Sequence, residues 1–146
     1  MNDYVFRMPE GTPDLTYKGL DAYLGATRTK GVGATVRLLR YDDPDEGALI
    51  MIRLYATTIA VLYADGRVHF TREGAQDQHL TTGQWLNKVA HDNNLGYLFR
   101  DNWVRYLYPR RHDIDVGRAR VPVAGQTFTH PDYGHARVTS EMERHG

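Results

Sequence analysis

The stretch from Arg53 to Asn87, RLYATTIAVLYADGRVHFTREGAQDQHLTTGQWLN, limits the possible folds more than any other part of the chain. Leu49 to Ala64 is long for one strand and predicts a bend near Ala56-Thr57. Apolar residues alternate on both sides of the bend: Ile50, Ile52 and Leu54, then Ile59, Val61 and Tyr63. Asp65-Gly66 then predicts a hairpin into RVHFT, because Asp and Gly tolerate the positive φ of a type I′ turn. Further on, Thr81 as N-cap and Gln84 three residues later form a capping-box pattern. Leu80 and Trp85 have the spacing of a hydrophobic staple. A cap of this kind is worth about 1 kcal/mol. The helix it opens runs to about His91 and buries Trp85, Leu86, Val89 and Ala90. This stretch dictates architecture and carries little chemistry.

The flanking sequence completes an α+β plan. Residues 1–15, with Pro9, Gly11 and Pro13, read as an irregular arm. Thr16 caps a short helix, Tyr17 to Leu24, which Gly25 ends. ATRTKGVGA reads as a loop, TVRLLRY as a strand, and DDPDEG as a turn punctuated by proline and glycine. GYLFR and WVRYLY read as strands joined through Asp101-Asn102, and HDIDV, ARVPV and QTFTH as weaker ones. The order predicts one domain over residues 16–130. It would be a mainly antiparallel sheet of about five to six strands with one main helix on a face and a short N-terminal helix. Residues 131–146 read as a mobile tail.

Composition narrows the function. At 146 residues and 16.7 kDa the chain can bury a core without staples. It has no cysteine, which excludes disulfides, thiolate metal sites and cysteine nucleophiles. Its start lacks a signal-peptide pattern, and its longest apolar run, Ala56 to Ala64, is too short to span a bilayer. A soluble intracellular protein with no membrane partner is the expectation. Net charge is zero, from 18 cationic and 18 anionic side chains, so no overall field attracts nucleic acid. The distribution is uneven, however. Asp42 to Glu46 form an acidic knot, and residues 97–120 hold six arginines against three aspartates.

Residues 20 to about 88 resemble a family of small proteins encoded mainly by actinobacterial phages and related mobile or uncultured genomes. Its members carry an R-L-[HY]-x-T-x-I stretch, a D-G-x-V turn and strand, and a T-T-x-x-R-I-N helix start. Here these read Arg53-Leu54-Tyr55-Ala56-Thr57-Thr58-Ile59, Asp65-Gly66-Arg67-Val68 and Thr81-Thr82-Gly83-Gln84-Trp85-Leu86-Asn87. Two departures stand out. Glu73 to Asp77 replaces a Gly-Gly-aromatic loop, and Trp85 stands where the family has arginine. The resemblance implies a phage or mobile-element setting, in the cytoplasm of a bacterial host, and it brings no activity with it.

The arginine-aromatic segment is the candidate ligand site: Arg100, Trp103, Arg105, Tyr106, Tyr108, Arg110 and Arg111. Guanidinium groups pair with phosphates, and exposed rings stack on unpaired bases for about 1–3 kcal/mol each. Strand alternation places Trp103 and Arg105 on one face and Tyr106 and Tyr108 on the other. The bland alternative is a core face with a solvated arginine rim. A protein interface uses the same residue types.

His130 to His135, the pair His69 and His79, the set His112, Asp113 and Asp115, and the Asp42–Glu46 knot match no established metal or acid-base pattern. No Walker, dinucleotide or Gly-x-Ser-x-Gly motif occurs. The sequence therefore reads as a non-enzymatic binding protein without cofactor or metal, with an anionic nucleotide or nucleic acid as ligand. A host-protein antagonist is the second reading and a small metal-dependent hydrolase the third. A homodimer that covers an open sheet edge is also expected.

Overall fold

A computed structural model describes residues 8–109, 120–129 and 137–138. The fold is α+β. Helix α1 (Tyr17–Leu24) precedes strands β1 (Thr29–Val32), β2 (Val36–Asp43), β3 (Gly47–Leu54), β4 (Thr57–Tyr63) and β5 (Arg67–Phe70). Helices α2 (Arg72–Gln76) and α3 (Leu80–Asp92) follow. The chain then forms β6 (Gly96–Asp101), β7 (Val104–Pro109), β8 (Val121–Pro122), β9 (Thr127–Thr129) and β10 (Arg137–Val138). A seven-stranded sheet has the order β1-β2-β3-β4-β5-β9-β10, and a three-stranded sheet the order β6-β7-β8. Every pairing is antiparallel. Among the described residues no helix is long and apolar enough to cross a membrane.

Several elements follow from local chemistry. Thr16 Oγ1 accepts the Gly19 N–H at 2.9 Å, and Gly25 ends α1 at φ 59°. Leu20 and Leu24 enter the core from α1. The acidic knot is the turn between β2 and β3, where Asp43 pairs with Gly47. The bend expected at Ala56-Thr57 is in fact a tight hairpin. Leu54 pairs with Thr57 and leaves Tyr55-Ala56 as its loop, and a bulge between Ile52 and Arg53 shifts the β3–β4 register. ATRTKGVGA is not all loop, since Thr29–Val32 forms β1 against β2. The Asp65-Gly66 hairpin forms, but only Gly66 has positive φ, so the turn is not type I′. That geometry belongs to Asn102 and Trp103, at φ 58° and 73°, between Asp101 and Val104. The β6–β7 turn thus falls one residue later than Asp101-Asn102.

The start of α3 also differs from expectation. Leu80 opens the helix with His79 at the cap, and His79 makes no side-chain capping bond. Asp77 supplies the oxygens instead. Its Oδ1 accepts the His79 N–H at 3.1 Å and its Oδ2 the Thr82 hydroxyl at 2.6 Å. An aspartate two residues before the cap outcompetes the threonine pair because both its oxygens accept. The staple does not form: Trp85 is buried, while Leu80 is 77% exposed. The buried face of α3 is Trp85, Leu86, Val89 and Ala90 as expected, joined by Thr82. Residues read as a loop at Glu73–Asp77 contribute to α2, capped by Thr71.

The C-terminus of α3 fixes the approach to α1. Asp92 Oδ2 accepts the Leu15 N–H at 2.9 Å and takes the Lys88 ammonium at 2.5 Å. Asn93 Nδ2 donates to Leu15 O and to Val89 O, both at 2.8 Å. Leu15, fully buried, therefore has both backbone groups satisfied by side chains. The expected irregular arm is thus pinned at its last residue. At the other end of the chain, Arg137–Val138 pairs with β9, so part of the expected tail is a strand.

Asn87, on α3, treats β6 as a neighbouring strand would. Its Oδ1 accepts the Leu98 N–H at 2.8 Å and its Nδ2 donates to Leu98 O at 3.0 Å. The outer edge of β6 is closed at that point, as edge strands require.

Candidate functional site

The outward face of the small sheet carries the aromatics. Strand register sets Tyr97 against Tyr108 and Phe99 against Tyr106. The rings form a zigzag. Tyr97 and Tyr108 lie 5.2 Å apart, Tyr108 and Phe99 4.8 Å, and Phe99 and Tyr106 5.8 Å. The last two pairs are stacked, at 27° and 29°. The Arg120 guanidinium closes the row 4.0 Å over Tyr106 and pairs with Asp101 Oδ2 at 2.5 Å. Aromatic neighbours on facing strands stabilise a sheet pair by a few tenths to 1 kcal/mol each.

Trp103 sits at the tip of the β6–β7 hairpin rather than on the strand, 74% exposed. Gln78 Nε2 donates to its carbonyl at 3.4 Å, which brings the chain just ahead of α3 alongside the tip. Leu80 lies two residues beyond Gln78, and Val104 follows Trp103. Both are exposed. Trp103, Leu80 and Val104 are thus the exposed large apolar residues at the hairpin tip and at the start of α3.

The predicted site residues divide. Tyr106 and Tyr108 share a face as expected, with Tyr97 and Phe99 as partners the sequence reading missed. The repeated aromatic-x-aromatic pattern in Tyr97-Leu98-Phe99 and Tyr106-Leu107-Tyr108 was the available signal. Arg105 does not share a face with an exposed Trp103. It is 6% exposed, and it donates from Nε to Ala75 O at 3.3 Å and from Nη2 to Asp77 O at 2.6 Å. Arg100, its register partner, donates to the Gln78 side chain and backbone carbonyls. Both arginines therefore hold the α2–α3 connection in place. Arg110 and Arg111 lie outside the described residues, as do His112, Asp113, Asp115 and His130 to His135.

His69 and His79 do not face each other. His69 Nδ1 bonds Thr127 Oγ1 at 2.8 Å within the large sheet, and burial lowers its pKa. His79 pairs with Asp77 at 2.6 Å. Among the described residues no group of three or more His, Asp or Glu side chains is placed to hold a metal ion.

Asp77 is the most perturbed acid of this region. Burial raises its pKa, but bonds from Thr82, the His79 ring and the His79 N–H outweigh that and hold it down to about 2, against an ordinary 3.8. The folded value lies below the unfolded one, so the ionised group supports the fold above about pH 4, and that support fades as pH falls toward about 2. Solvent screening at a partly exposed carboxylate limits it to about 1 kcal/mol. Melting Asp77→Asn beside the parent between about pH 5 and pH 2 should show a stability gap of that size closing across the window. A constant gap would mean the charge contributes nothing.

No family model matches the chain, and neither a curated protein nor a solved structure matches it.

Proposed function

We propose that this is a non-enzymatic accessory protein, of phage or mobile-element type, that docks onto a host protein through the tip and outer face of the β6–β7 hairpin. The observation that carries the reading is the conformation of Trp103. A left-handed backbone costs a non-glycine residue roughly 1–2 kcal/mol, and the second position of a type I′ turn strongly favours glycine. A tryptophan held there and exposed lowers the stability of the free chain. Strain of that kind collects at sites that bind. An exposed indole is the side chain most enriched at interface hot spots, and it suits an apolar pocket on a partner.

A protein partner is favoured over an unpaired base at this surface by what the rings and cations already do. Phe99 stacks on both Tyr106 and Tyr108, Arg120 covers Tyr106, and Arg100, Arg105 and Arg120 donate to groups of this chain. Among the described residues, the Phe99, Tyr106 and Tyr108 rings and these three guanidinium groups are thus already engaged within the chain.

Trp103→Gly separates the two roles of the side chain. The variant is expected to unfold about 1 kcal/mol less readily than the parent, because Asn-Gly suits the turn. It is also expected to lose a partner that the parent captures from host lysate treated with nuclease. Capture unchanged by Trp103→Gly, or capture abolished by nuclease, overturns the reading. Concentration-dependent dimerisation that Trp103→Gly abolishes would identify a second copy as the occupant instead, which light scattering detects.

A further inference from the structure

We infer that this chain forms a two-fold dimer in which the outward faces of two large sheets pack together, with β2 running antiparallel over β2. The centre of this sheet is apolar on both faces. Strand β3 carries Leu49-Ile50-Met51-Ile52 and β4 carries Ile59-Ala60-Val61-Leu62, with no polar residue between. An antiparallel sheet with one solvated face alternates apolar and polar residues. Uninterrupted runs belong to strands covered on both sides. The inner face is covered: Ile50, Ile52, Ala60 and Leu62 join one cluster with the buried apolar residues of all three helices.

Leu49 stands outside that cluster, although it is only 7% exposed. It lies on the outward face between its register partners, Tyr41 on β2 and Tyr63 on β4. The next row on the same face is Leu39, Met51 and Val61, all partly buried. These six side chains form a second, smaller apolar layer. Arg67 closes it at β5, with its guanidinium 4.2 Å over the Tyr63 ring. The helices all contribute to the inner cluster, so none of them covers this layer.

The charges on β2 identify the occupant. Its outward side chains run Arg37, Leu39, Tyr41, Asp43: a cation, two apolar groups and a carboxylate. Among the described residues neither end charge has an ion-pair partner, whereas Arg40, Arg67 and Arg120 each have one. Arg37 is exposed and donates to the Thr29 hydroxyl at 3.3 Å. A strip of this kind is its own complement when reversed. A two-fold axis between the sheets, crossing β2 at Arg40, sets Arg37 over Asp43 of the partner subunit. It sets Leu39 over Tyr41 of the partner subunit, and symmetry repeats both contacts. On β3 the same axis sets Leu49 over the partner's Met51, and on β4 Val61 over the partner's Tyr63. Packed sheets lie about 10 Å apart, a gap that an arginine and an aspartate span together. An anionic strand would meet the acidic turn instead, and an apolar surface would leave both charges unpaired. Strands spaced about 4.8 Å apart and rising about 3.3 Å per residue give β1–β4 a face of roughly 20 by 25 Å. Burying it on both copies removes roughly 1,000 Å², enough for a specific interface. The face shares no residue with the β6–β7 surface, so the dimer stands whether or not that surface docks a protein.

The test is analytical sedimentation of the full chain over a range of concentrations. The parent is expected to reach twice its 16.7 kDa monomer mass. Trp103→Gly should do so at the same concentrations. Arg37→Glu alone places two like-charged pairs across the interface, and Asp43→Lys alone does the same. Each should therefore weaken self-association about tenfold or more. An equimolar mixture of those two variants restores opposite charges in both pairs, and it should dimerise as tightly as the parent. Recovery on mixing also shows that both variants are folded. A parent that stays monomeric at every concentration overturns the inference. So does a mixture that associates no more tightly than its components, or a dimer that Trp103→Gly abolishes.

Discussion

Arg105→Ala is expected to lower stability by about 3 kcal/mol, a fall in melting temperature of about 10 °C. The side chain is almost fully buried, so the loss is not that of a surface charge. Helix α2 ends with carbonyls that have no partner inside the helix. Gly74 O accepts the Asp77 N–H at 3.2 Å and Gln76 O accepts the Gln78 amide at 2.9 Å. Ala75 O and the following Asp77 O are left, and the guanidinium takes both. Charge-assisted bonds of this kind are worth about 1.5–3 kcal/mol each. Removing the donor also leaves a cavity beside Gly83, whose α-carbon faces the guanidinium closely enough that an added Cβ would lie 3.0 Å from Nη1.

Burial first, and then the nearby Arg100, pull the Arg105 pKa below its ordinary value, with Asp77 opposing them. Relief of that repulsion offsets only part of the loss. Arg105→Lys should retain about half of the stabilisation, since one ammonium cannot span two carbonyls as the fork does. A denaturant melt of both variants decides. Arg105→Ala melting with the parent would return this residue to the list of free ligand groups.

The contrast between Arg105 and Trp103 explains what the sequence could show. Alternation along WVRYLY says which residues share a face and is silent on which face is covered. Trp103 reads as strand because aromatics favour strands, yet the chain needs a two-residue turn there. Asn102 supplies one left-handed position, and Trp103 must supply the other. That choice depends on the β6–β7 register, which is fixed by Leu98 and Leu107 entering the core and by Asn87 at the edge. No single strand or helix contains those three together. The features that were legible were short-range. Thr16 and Gly25 bracket α1, the apolar positions of α3 recur at helical spacing, and Asp-Gly marks the β4–β5 turn. The Thr81–Gln84 pattern was equally local and misled, because Asp77 offers a stronger acceptor just outside the window. The anion chemistry read into residues 97–111 illustrates the same limit. Arg100 and Arg105 serve carbonyls of α2 and of the α2–α3 connection, at Ala75, Asp77 and Gln78, which lie 22 to 30 residues away along the chain.

The same reasoning gives a sign to the last substitution, Gly74→Ala. In an exposed helix the change favours folding by about 0.5–1 kcal/mol, because alanine loses less backbone entropy. Here it is expected to cost about 3 kcal/mol. A methyl at Gly74 would lie 2.7 Å from Ile59 Cα and 2.8 Å from Ile59 Cβ. The obstacle is strand backbone, so no rotamer change relieves it. Helix α2 cannot retreat either. Its cap, Thr71, donates from Oγ1 to Thr58 O at 2.6 Å and from N to Ile59 O at 3.2 Å, while the same hydroxyl oxygen accepts the Gly74 N–H at 3.0 Å. Lifting the helix by the width of a methyl would break those bonds and displace Ala75 and Asp77, whose carbonyls hold Arg105. The loss should therefore couple to Arg105. The Gly74→Ala, Arg105→Ala double variant is expected to fall short of the sum of its singles by about 1 kcal/mol. A stabilised Gly74→Ala protein, or strictly additive losses, would mean that α2 rests on β4 more loosely than these distances require.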